Sequence, residues 1–142
     1  MSAAEPTYLL DTSALLTLIE DEDGANRVER ILKQGHALIP FVALLEVYYI
    51  SLQEADQATA DLRYAALTHG DATVLWEMDE VTLLTAARLK ADHRISLADA
   101  MIAAFAIRMG ATLLHKDPEF EPLASEVRLE ALPYKSLPTS KS

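Results

Sequence analysis

Four acidic side chains differ from the other acids of the chain because apolar residues surround them. Asp11 and Asp117 each end a short, mainly apolar run, whereas Glu46 and Asp99 lie inside longer apolar segments. An unpartnered carboxylate is costly to bury, so such a group is paired, protonated or bound to a metal ion. Oxygen-rich clusters without Cys or His suit Mg²⁺ or Mn²⁺, and such sites hold phosphates and activate water for phosphodiester cleavage.

Each of these acids also has a purely structural explanation. Asp11 is a residue type that commonly caps the start of a helix. Asp99 stands three residues after Ser96, which is the spacing of a capping box. Asp117 suits the start of a turn, and Glu46 would pair with an Arg or Tyr side chain. Taken one at a time, these residues are compatible both with a structural role and with a role in metal binding. The two explanations are distinguished by whether the four acids lie close together in the fold.

Short apolar runs alternate with helical segments along the sequence. The pattern predicts strands over residues 7–11, 36–39, 73–76 and 111–117, with a last edge strand over 127–132. It predicts helices over residues 13–20, 25–34, 40–53, 55–69, 79–92 and 96–109. This alternation is typical of an α/β fold, and we expect a three-layer α/β/α sandwich around a central, mainly parallel sheet of four to five strands.

The predicted sheet brings the four acids to one place. Ligands of such folds bind beyond the carboxyl ends of the strands. Asp11 and Asp117 end strands and Asp99 begins a helix, so we expect all three at the same rim. Glu46 lies about two turns into a helix and can lean toward that rim. Because the helix around Glu46 is apolar nearly all round, we expect it to be buried.

Length and composition set the remaining limits. The 142 residues predict a single domain over 1–142, with an ordered core over about 6–136 and a frayed end at 138–142. The 51% of hydrophobic residues excludes a disordered chain, and the absence of Cys excludes disulfides and thiolate sites. We find no secretory signal and no membrane span, so the cytoplasm is the expected location. A net charge of −10 repels phosphate backbones unless bound cations reverse it locally, and it also suits a basic protein partner.

The motifs around these acids resemble those of PIN-domain ribonucleases, and more narrowly those of VapC-type toxins of type II toxin–antitoxin pairs. Each motif alone is weak, but four in this order over nearly the whole chain are fairly specific. One position differs, since His115 stands where many relatives carry Thr or Ser. The motifs are Leu9-Leu10-Asp11-Thr12-Ser13, Leu44-Leu45-Glu46-Val47, Ser96-Leu97-Ala98-Asp99-Ala100 and Leu113-Leu114-His115-Lys116-Asp117-Pro118-Glu119-Phe120.

The resemblance implies a Mg²⁺-dependent endoribonuclease, with Mn²⁺ as the alternative ion. Asp11 and Asp99 would be the metal ligands, and Asp117 would complete the acidic cluster. Glu46 would act through metal-held water or as a base. Metal-activated water would hydrolyse RNA phosphodiester bonds and leave a 5′-phosphate and a 3′-hydroxyl.

Further expectations concern substrate and partners. The resemblance gives substrate-binding roles to Ser13, His115 and Lys116. It also implies an RNA substrate, a homodimer and a small cognate antitoxin, whose apolar helix would pack in a groove formed, for example, around residues 44–52 and 62–67. From the sequence itself we expect a basic lip near the site, formed by Arg88, Lys90, His93 and Arg94.

Rival functions remain open on sequence alone. The main alternative is a non-catalytic protein-interaction domain of PIN-like fold, in which the acids are only caps. A metal-dependent phosphatase of another α/β family would need a second Asp two residues after Asp11, where this chain has Ser13. A non-enzymatic RNA binder would need a basic patch interleaved with aromatic residues, which the sequence lacks.

Overall fold

A five-stranded parallel sheet lies at the centre of the structure, a computed structural model that describes residues 6–135. The strands are β1 (Tyr8–Leu10), β2 (Ala37–Pro40), β3 (Thr73–Leu75), β4 (Thr112–His115) and β5 (Leu129–Ala131). Their order is β3-β2-β1-β4-β5, and every neighbouring pair is parallel. The predicted mainly parallel sheet is confirmed, because parallel strands require the long helical crossovers that the sequence supplies.

Six α-helices connect the strands and flank the sheet. They are α1 (Thr12–Ile19), α2 (Ala25–Lys33), α3 (Phe41–Glu54), α4 (Gln57–Thr68), α5 (Glu80–Asp92) and α6 (Leu97–Met109). A short 3₁₀ helix (Pro118–Leu123) lies between β4 and β5. Gly110 ends α6 with φ of 60°, a left-handed conformation that favours glycine. The α/β/α sandwich is confirmed, and none of the helices within residues 6–135 is long and apolar enough to cross a membrane.

The strand order creates a crevice beside the central strand. The chain builds outward from β1 to β2 and β3, then returns to place β4 on the other side of β1. Ligand sites in open α/β sheets form where connections leave adjacent strands in opposite directions, which here is the carboxyl end of β1 and β4. The register pairs Leu10 with Leu114, so Asp11 and Asp117 emerge at the same edge.

The core holds this edge in place. Leu9, Leu10, Leu113 and Leu114 are fully buried in the two central strands. Helix α6 contributes a mainly alanine face that is also buried, and Phe120 of the 3₁₀ helix is buried after β4. The site residues therefore follow directly from the most rigidly packed part of the fold. The predicted end of the core near 136 and the predicted fraying of 138–142 lie outside the described residues.

Helix α3 differs from its prediction. Its apolar sequence led us to expect burial all round, but Leu45, Tyr49 and Leu52 are 60%, 42% and 41% exposed. Val42, Ala43 and Val47 do face the core. An apolar pattern indicates that a surface avoids water, and it does not distinguish the chain's own core from a surface left for a partner.

Candidate metal centre

Side chains from four separate parts of the chain line one cup at the carboxyl end of the sheet. The cavity has a volume of about 270 Å³. All four acids singled out in the sequence reach it, from the end of β1, from α3, from the first turn of α6 and from the segment after β4. We call this cavity the acidic cup, and its lining is Asp11, Thr12, Ser13, Leu16, Glu46, Ser96, Asp99, Asp117 and Glu119.

Asp11 is both the cap of α1 and the most buried acid of the cup. It is 2% exposed, and its carboxylate accepts hydrogen bonds from the backbone N–H of Ala14 at 2.7 Å and from the Ser13 hydroxyl at 2.7–2.8 Å. Burial raises the pKa of Asp11 to about 7 despite these two donors, and the charges of Asp99 and Asp117 add to the rise. The capping explanation is correct for Asp11, yet it leaves this carboxylate in the cup.

Asp99 lies in the first turn of α6, where the predicted Ser96 cap is present. The backbone N–H of Asp99 donates a hydrogen bond of 3.1 Å to the Ser96 hydroxyl. Burial raises the pKa of the Asp99 carboxyl to about 6, and the negative charge of Asp117 is the next largest cause. Within residues 6–135, no Lys or Arg forms an ion pair with an acid of the cup. The repulsion among these acids is therefore left for another cation to relieve.

Glu46 reaches the cup from the second turn of α3. Its Oε1 accepts a hydrogen bond of 2.6 Å from the Thr12 hydroxyl, the first residue of α1. The alternative that Glu46 pairs with an Arg or Tyr is not what the structure shows. A hydroxyl partner leaves the negative charge of this carboxylate in place.

Asp117 and Glu119 complete the carboxylate cluster. The Oδ1 atom of Asp117 accepts a hydrogen bond of 2.9 Å from the backbone N–H of Glu119, at the start of the 3₁₀ helix. One carboxylate oxygen from each of Asp99, Asp117 and Glu119 lies within 4.8 Å of the other two. Glu119 was not among the four acids singled out from the sequence, because those were chosen for their apolar surroundings. The signal was its position two residues after an acid that ends a strand.

Ser13 lines the cup, but the Lys116 side chain turns away from it. The Lys116 Nζ donates a hydrogen bond of 2.8 Å to the backbone carbonyl of Asp23 and lies 3.6 Å from a carboxylate oxygen of Glu22. Its side chain is 4% exposed. These contacts hold the Lys116 side chain outside the acidic cup, and its role in substrate binding stays a prediction.

His115 also lies outside the lining of the acidic cup. Its ring is 1% exposed and packs against the rings of Phe120 and Tyr134, with centroid distances of 5.2 and 6.2 Å. Its Nδ1 accepts a hydrogen bond of 3.1 Å from the backbone N–H of Asp117, and burial lowers the pKa of His115. This buried ring supports the segment that carries Asp117, and it does not line the acidic cup.

Two of the four members of the predicted basic lip are paired with one acid. Arg88 forms an ion pair of 2.7 Å with Glu126, and the His93 ring lies 2.9 Å from the same carboxylate. Lys90 and Arg94 are exposed, but no member of the lip lines the acidic cup.

A second cavity, which we call the apolar groove, lies beside α3 and α4. It has a volume of about 640 Å³. Its one charged residue is Asp61, whose carboxylate accepts a hydrogen bond of 2.6 Å from the Tyr48 hydroxyl. Leu45 faces the groove while the next residue, Glu46, faces the cup, so α3 carries both surfaces. The groove is lined by Phe41, Leu44, Leu45, Tyr48, Asp61, Tyr64 and Trp76.

The chemistry of the cup fits a hard divalent cation. Its potential ligands are carboxylate and hydroxyl oxygens, without His, Cys or Lys in the lining. The same acids are those of the PIN-like motifs, and the family model of the PIN domain matches residues 8–126. The chain belongs to the PIN domain family. The family match spans the elements that carry all the acids of the cup.

Solved structures share the fold of this PIN domain at low sequence identity. VapBC2 from Rickettsia felis, bound to a DNA fragment from its promoter, has a TM-score of 0.74 and 18% identity over 89% of this chain and 99% of that chain. DNA-bound VapBC from Salmonella typhimurium has a TM-score of 0.73 and 19% identity over 89% and 98%. VapC20 from Mycobacterium tuberculosis, a sarcin–ricin loop cleaving toxin, has a TM-score of 0.65 and 13% identity over 85% and 96%. No curated protein sequence gives a significant match.

Proposed function

We propose that this PIN domain is a Mg²⁺-dependent endoribonuclease and the toxin of a toxin–antitoxin pair. The observation that carries the proposal is the convergence of Asp11, Glu46, Asp99 and Asp117 in one cup without an ion pair to Lys or Arg among residues 6–135. Such an arrangement raises the electrostatic free energy of the fold, and a divalent cation would relieve that repulsion. The all-oxygen lining favours Mg²⁺, with Mn²⁺ as its usual substitute.

Each acid has a distinct part in the proposed reaction. Asp11 and Asp99 hold the ion, and Asp117 completes the cluster with Glu119 beside it. A bound Mg²⁺ would supply Lewis-acid stabilisation of the phosphoryl oxygens and a water of lowered pKa. The Glu46 carboxylate, whose Oε1 accepts a hydrogen bond from the Thr12 hydroxyl, would act through metal-held water or as the base. Ser13 holds the Asp11 carboxylate in position.

RNA is the proposed substrate. A structural neighbour, VapC20 from Mycobacterium tuberculosis, is a sarcin–ricin loop cleaving toxin, which favours RNA over DNA. In-line attack of water on the phosphodiester would leave a 5′-phosphate and a 3′-hydroxyl. Cleavage of cellular RNA would take place in the cytoplasm. Because the net charge is −10, we expect RNA binding to depend on the divalent ion.

The decisive experiment compares cleavage of total RNA by the wild type, by Asp99→Asn and by Asp71→Asn, with Mg²⁺ or with EDTA. Asp71 is an exposed acid outside the cup and is the matched control. We expect cleavage by wild type and Asp71→Asn in Mg²⁺, a loss of about 100-fold or more in Asp99→Asn, and none in EDTA. Equal cleavage by wild type and Asp99→Asn, or cleavage that persists in EDTA, would overturn the proposal.

The apolar groove supports an antitoxin as the partner. Trp76 is 57% exposed and Leu45 is 60% exposed, so the groove offers apolar area that water solvates poorly. A helix with an apolar face would fill such a groove, and a basic side chain next to it would enter the acidic cup beside Glu46. The VapBC structures that share the fold come from toxin–antitoxin systems, in agreement with this proposal.

The antitoxin proposal is tested by searching the neighbouring reading frame for a small antitoxin-like protein and co-expressing the chain with it. We expect a stable complex that inhibits RNA cleavage, and we expect Trp76→Ala to weaken it by about 2 kcal/mol or more. Leu62→Ala is the control, because Leu62 is 72% exposed on α4 and does not line the groove. Equal weakening by both variants would place the partner elsewhere.

The homodimer remains a proposal as well. Val81, Leu83 and Leu84 of α5 are 58%, 53% and 59% exposed, and this apolar patch favours self-association. Light scattering coupled to gel filtration should give the mass of two chains for the wild type and of one chain for Leu84→Lys. A monomeric wild type at all concentrations would remove the proposal.

A non-catalytic interaction domain of PIN-like fold is the alternative function. The capping roles of Asp11 and Ser96 and the apolar groove favour it. It predicts that wild type and Asp99→Asn both fail to cleave RNA, whereas both bind the groove partner equally well.

A further inference from the structure

One hydrogen bond, from the side chain of a residue on another helix, holds the Glu46 carboxylate at the cup. Asp11 is fixed by two donors and Asp117 by the backbone N–H of Glu119. Glu46 has a longer side chain than Asp, with one more rotatable bond. Among residues 6–135, the Thr12 hydroxyl at 2.6 Å is its hydrogen-bond partner, and the described part of the chain provides no other.

Thr12 is well suited to hold a carboxylate in place. It is 9% exposed and is the first residue of α1, whose start is fixed by the Asp11 cap. A Thr side chain has a stiff χ1, so its hydroxyl points in a defined direction. The hydroxyl has one proton, and it donates this proton in a hydrogen bond to Oε1 of Glu46. The second carboxylate oxygen takes no part in this hydrogen bond, and Glu46 lines the cup.

We propose that Thr12 is a positioning residue whose hydroxyl holds the Glu46 carboxylate toward the acidic cup, so that Glu46 helps to bind the divalent cation. The inference rests on the proposed function, because it assigns Thr12 to the same metal site. It also explains why α1 and α3 are linked by a polar contact at this end of the sheet. Without the hydroxyl, Glu46 can rotate among several rotamers, and ion binding has to select one of them.

The test measures Mn²⁺ binding to metal-free protein by electron paramagnetic resonance, with no RNA present. Thr12→Val removes the hydroxyl at nearly constant shape, and Thr12→Ser keeps it. We expect Thr12→Val to weaken Mn²⁺ binding about 10-fold, as loss of a group that orients a ligand typically does, and Thr12→Ser to restore it. Thr85→Val is the control, because the Thr85 hydroxyl donates to the backbone carbonyl of Val81, away from the cup.

A double-mutant cycle separates positioning from a general structural role. In Glu46→Gln the charge is gone, so adding Thr12→Val should cause little further loss of Mn²⁺ affinity. Additive losses, or equal affinity of wild type and Thr12→Val, would overturn the positioning role. Thr12→Ala replaces Thr12→Val in the same cycle if circular dichroism shows that the valine variant is unfolded.

The same measurement distinguishes the two proposals. A folded wild type that binds no Mn²⁺ overturns the proposed metal site, and the role of Thr12 with it. A wild type that binds Mn²⁺ and loses binding in Asp99→Asn, but not in Thr12→Val, overturns the role of Thr12 alone.

Discussion

The backbone N–H of Lys116 donates a hydrogen bond of 2.8 Å to the Ser13 hydroxyl. The hydroxyl in turn donates its proton to the Asp11 carboxylate. A backbone N–H can only donate, so the Ser13 hydroxyl accepts from Lys116 and uses its own single proton for Asp11. We call these two consecutive hydrogen bonds the relay. The segment that follows β4 is thereby tied to the acid that follows β1, across the crevice where the metal site is proposed.

Ser13→Ala should destabilise the protein by about 1–2 kcal/mol, because it leaves the Lys116 N–H without its partner. It should also raise the pKa of Asp11 further, since the Ser13 hydroxyl favours the charged form. Urea unfolding measures the first effect. Ser125→Ala is the control, because Ser125 is exposed and lies outside the cup. Equal midpoints for the two variants would contradict the relay.

The metal-free protein should lose stability as the pH rises through about 6 and about 7, the pKa values of Asp99 and Asp11 in the fold. Both values exceed the ordinary 3.8, so the folded state holds protons that the unfolded state has released. These bound protons stabilise the fold fully at a pH below 3.8, the pKa of each carboxyl in the unfolded chain. This stabilisation is lost as the pH rises through the pKa of each carboxyl in the fold.

His115 acts in the opposite direction, since its lowered pKa makes the unfolded state bind protons first as the pH falls below 6.5. The His115 effect fades above its unfolded value of 6.5, so the slope above that pH reports the acids of the cup. Urea unfolding in EDTA at several pH values measures the slope, and Asp99→Asn should flatten it. A stability that rises with pH over this range would show that the acids of the cup are not destabilising.

Mg²⁺ should raise the melting temperature most at a pH above the pKa of Asp11, where both Asp11 and Asp99 are ionised. An ion that binds only the folded state adds about 2.7 kcal/mol at 100 times its dissociation constant. Differential scanning fluorimetry with Mg²⁺, against NaCl of equal ionic strength, measures the shift. The shift should persist in Asp71→Asn and disappear in Asp99→Asn. An equal shift in all three proteins would indicate non-specific screening.

The placement of the acids was predictable from the sequence because it depends on strand ends. Asp11 and Asp117 follow runs that only a buried strand explains, and parallel strands present their carboxyl ends at one edge. Glu46 was identified by its apolar surroundings. These inferences need only two features of the sequence. One is the periodicity of its hydrophobic residues, and the other is the alternation of strands with helices, which indicates parallel strands.

Side-chain directions after β4 were not predictable in the same way. His115 turns into the core and Lys116 turns toward the α1–α2 turn, and the 3₁₀ helix then redirects the chain after Asp117. The same turn brings Glu119 into the cup. The exposed face of α3 was missed for another reason, because an apolar surface has the same sequence pattern whether it meets the core or a partner.

Arg27 of α2 and Glu130 of β5 form a two-contact ion pair, with N–O distances of 2.8 and 3.0 Å. Arg27 also donates a hydrogen bond of 3.0 Å to the Tyr8 hydroxyl of β1, and β5 is an edge strand of three residues. The side chains are 33% and 32% exposed, so solvent screens them only in part.

A double-mutant cycle of Arg27→Met and Glu130→Gln should therefore give a coupling free energy of about 1 kcal/mol, at the upper end for partly exposed pairs. The exposed pair Glu29–Lys33 within α2 should couple by about 0.3–0.5 kcal/mol and is the control. Both cycles are measured by urea unfolding. Equal couplings would mean that the Arg27–Glu130 pair adds no more to stability than an exposed surface pair. Because Arg27 and Glu130 do not line the cup, Mg²⁺-dependent RNA cleavage should be unchanged in every folded variant of this cycle.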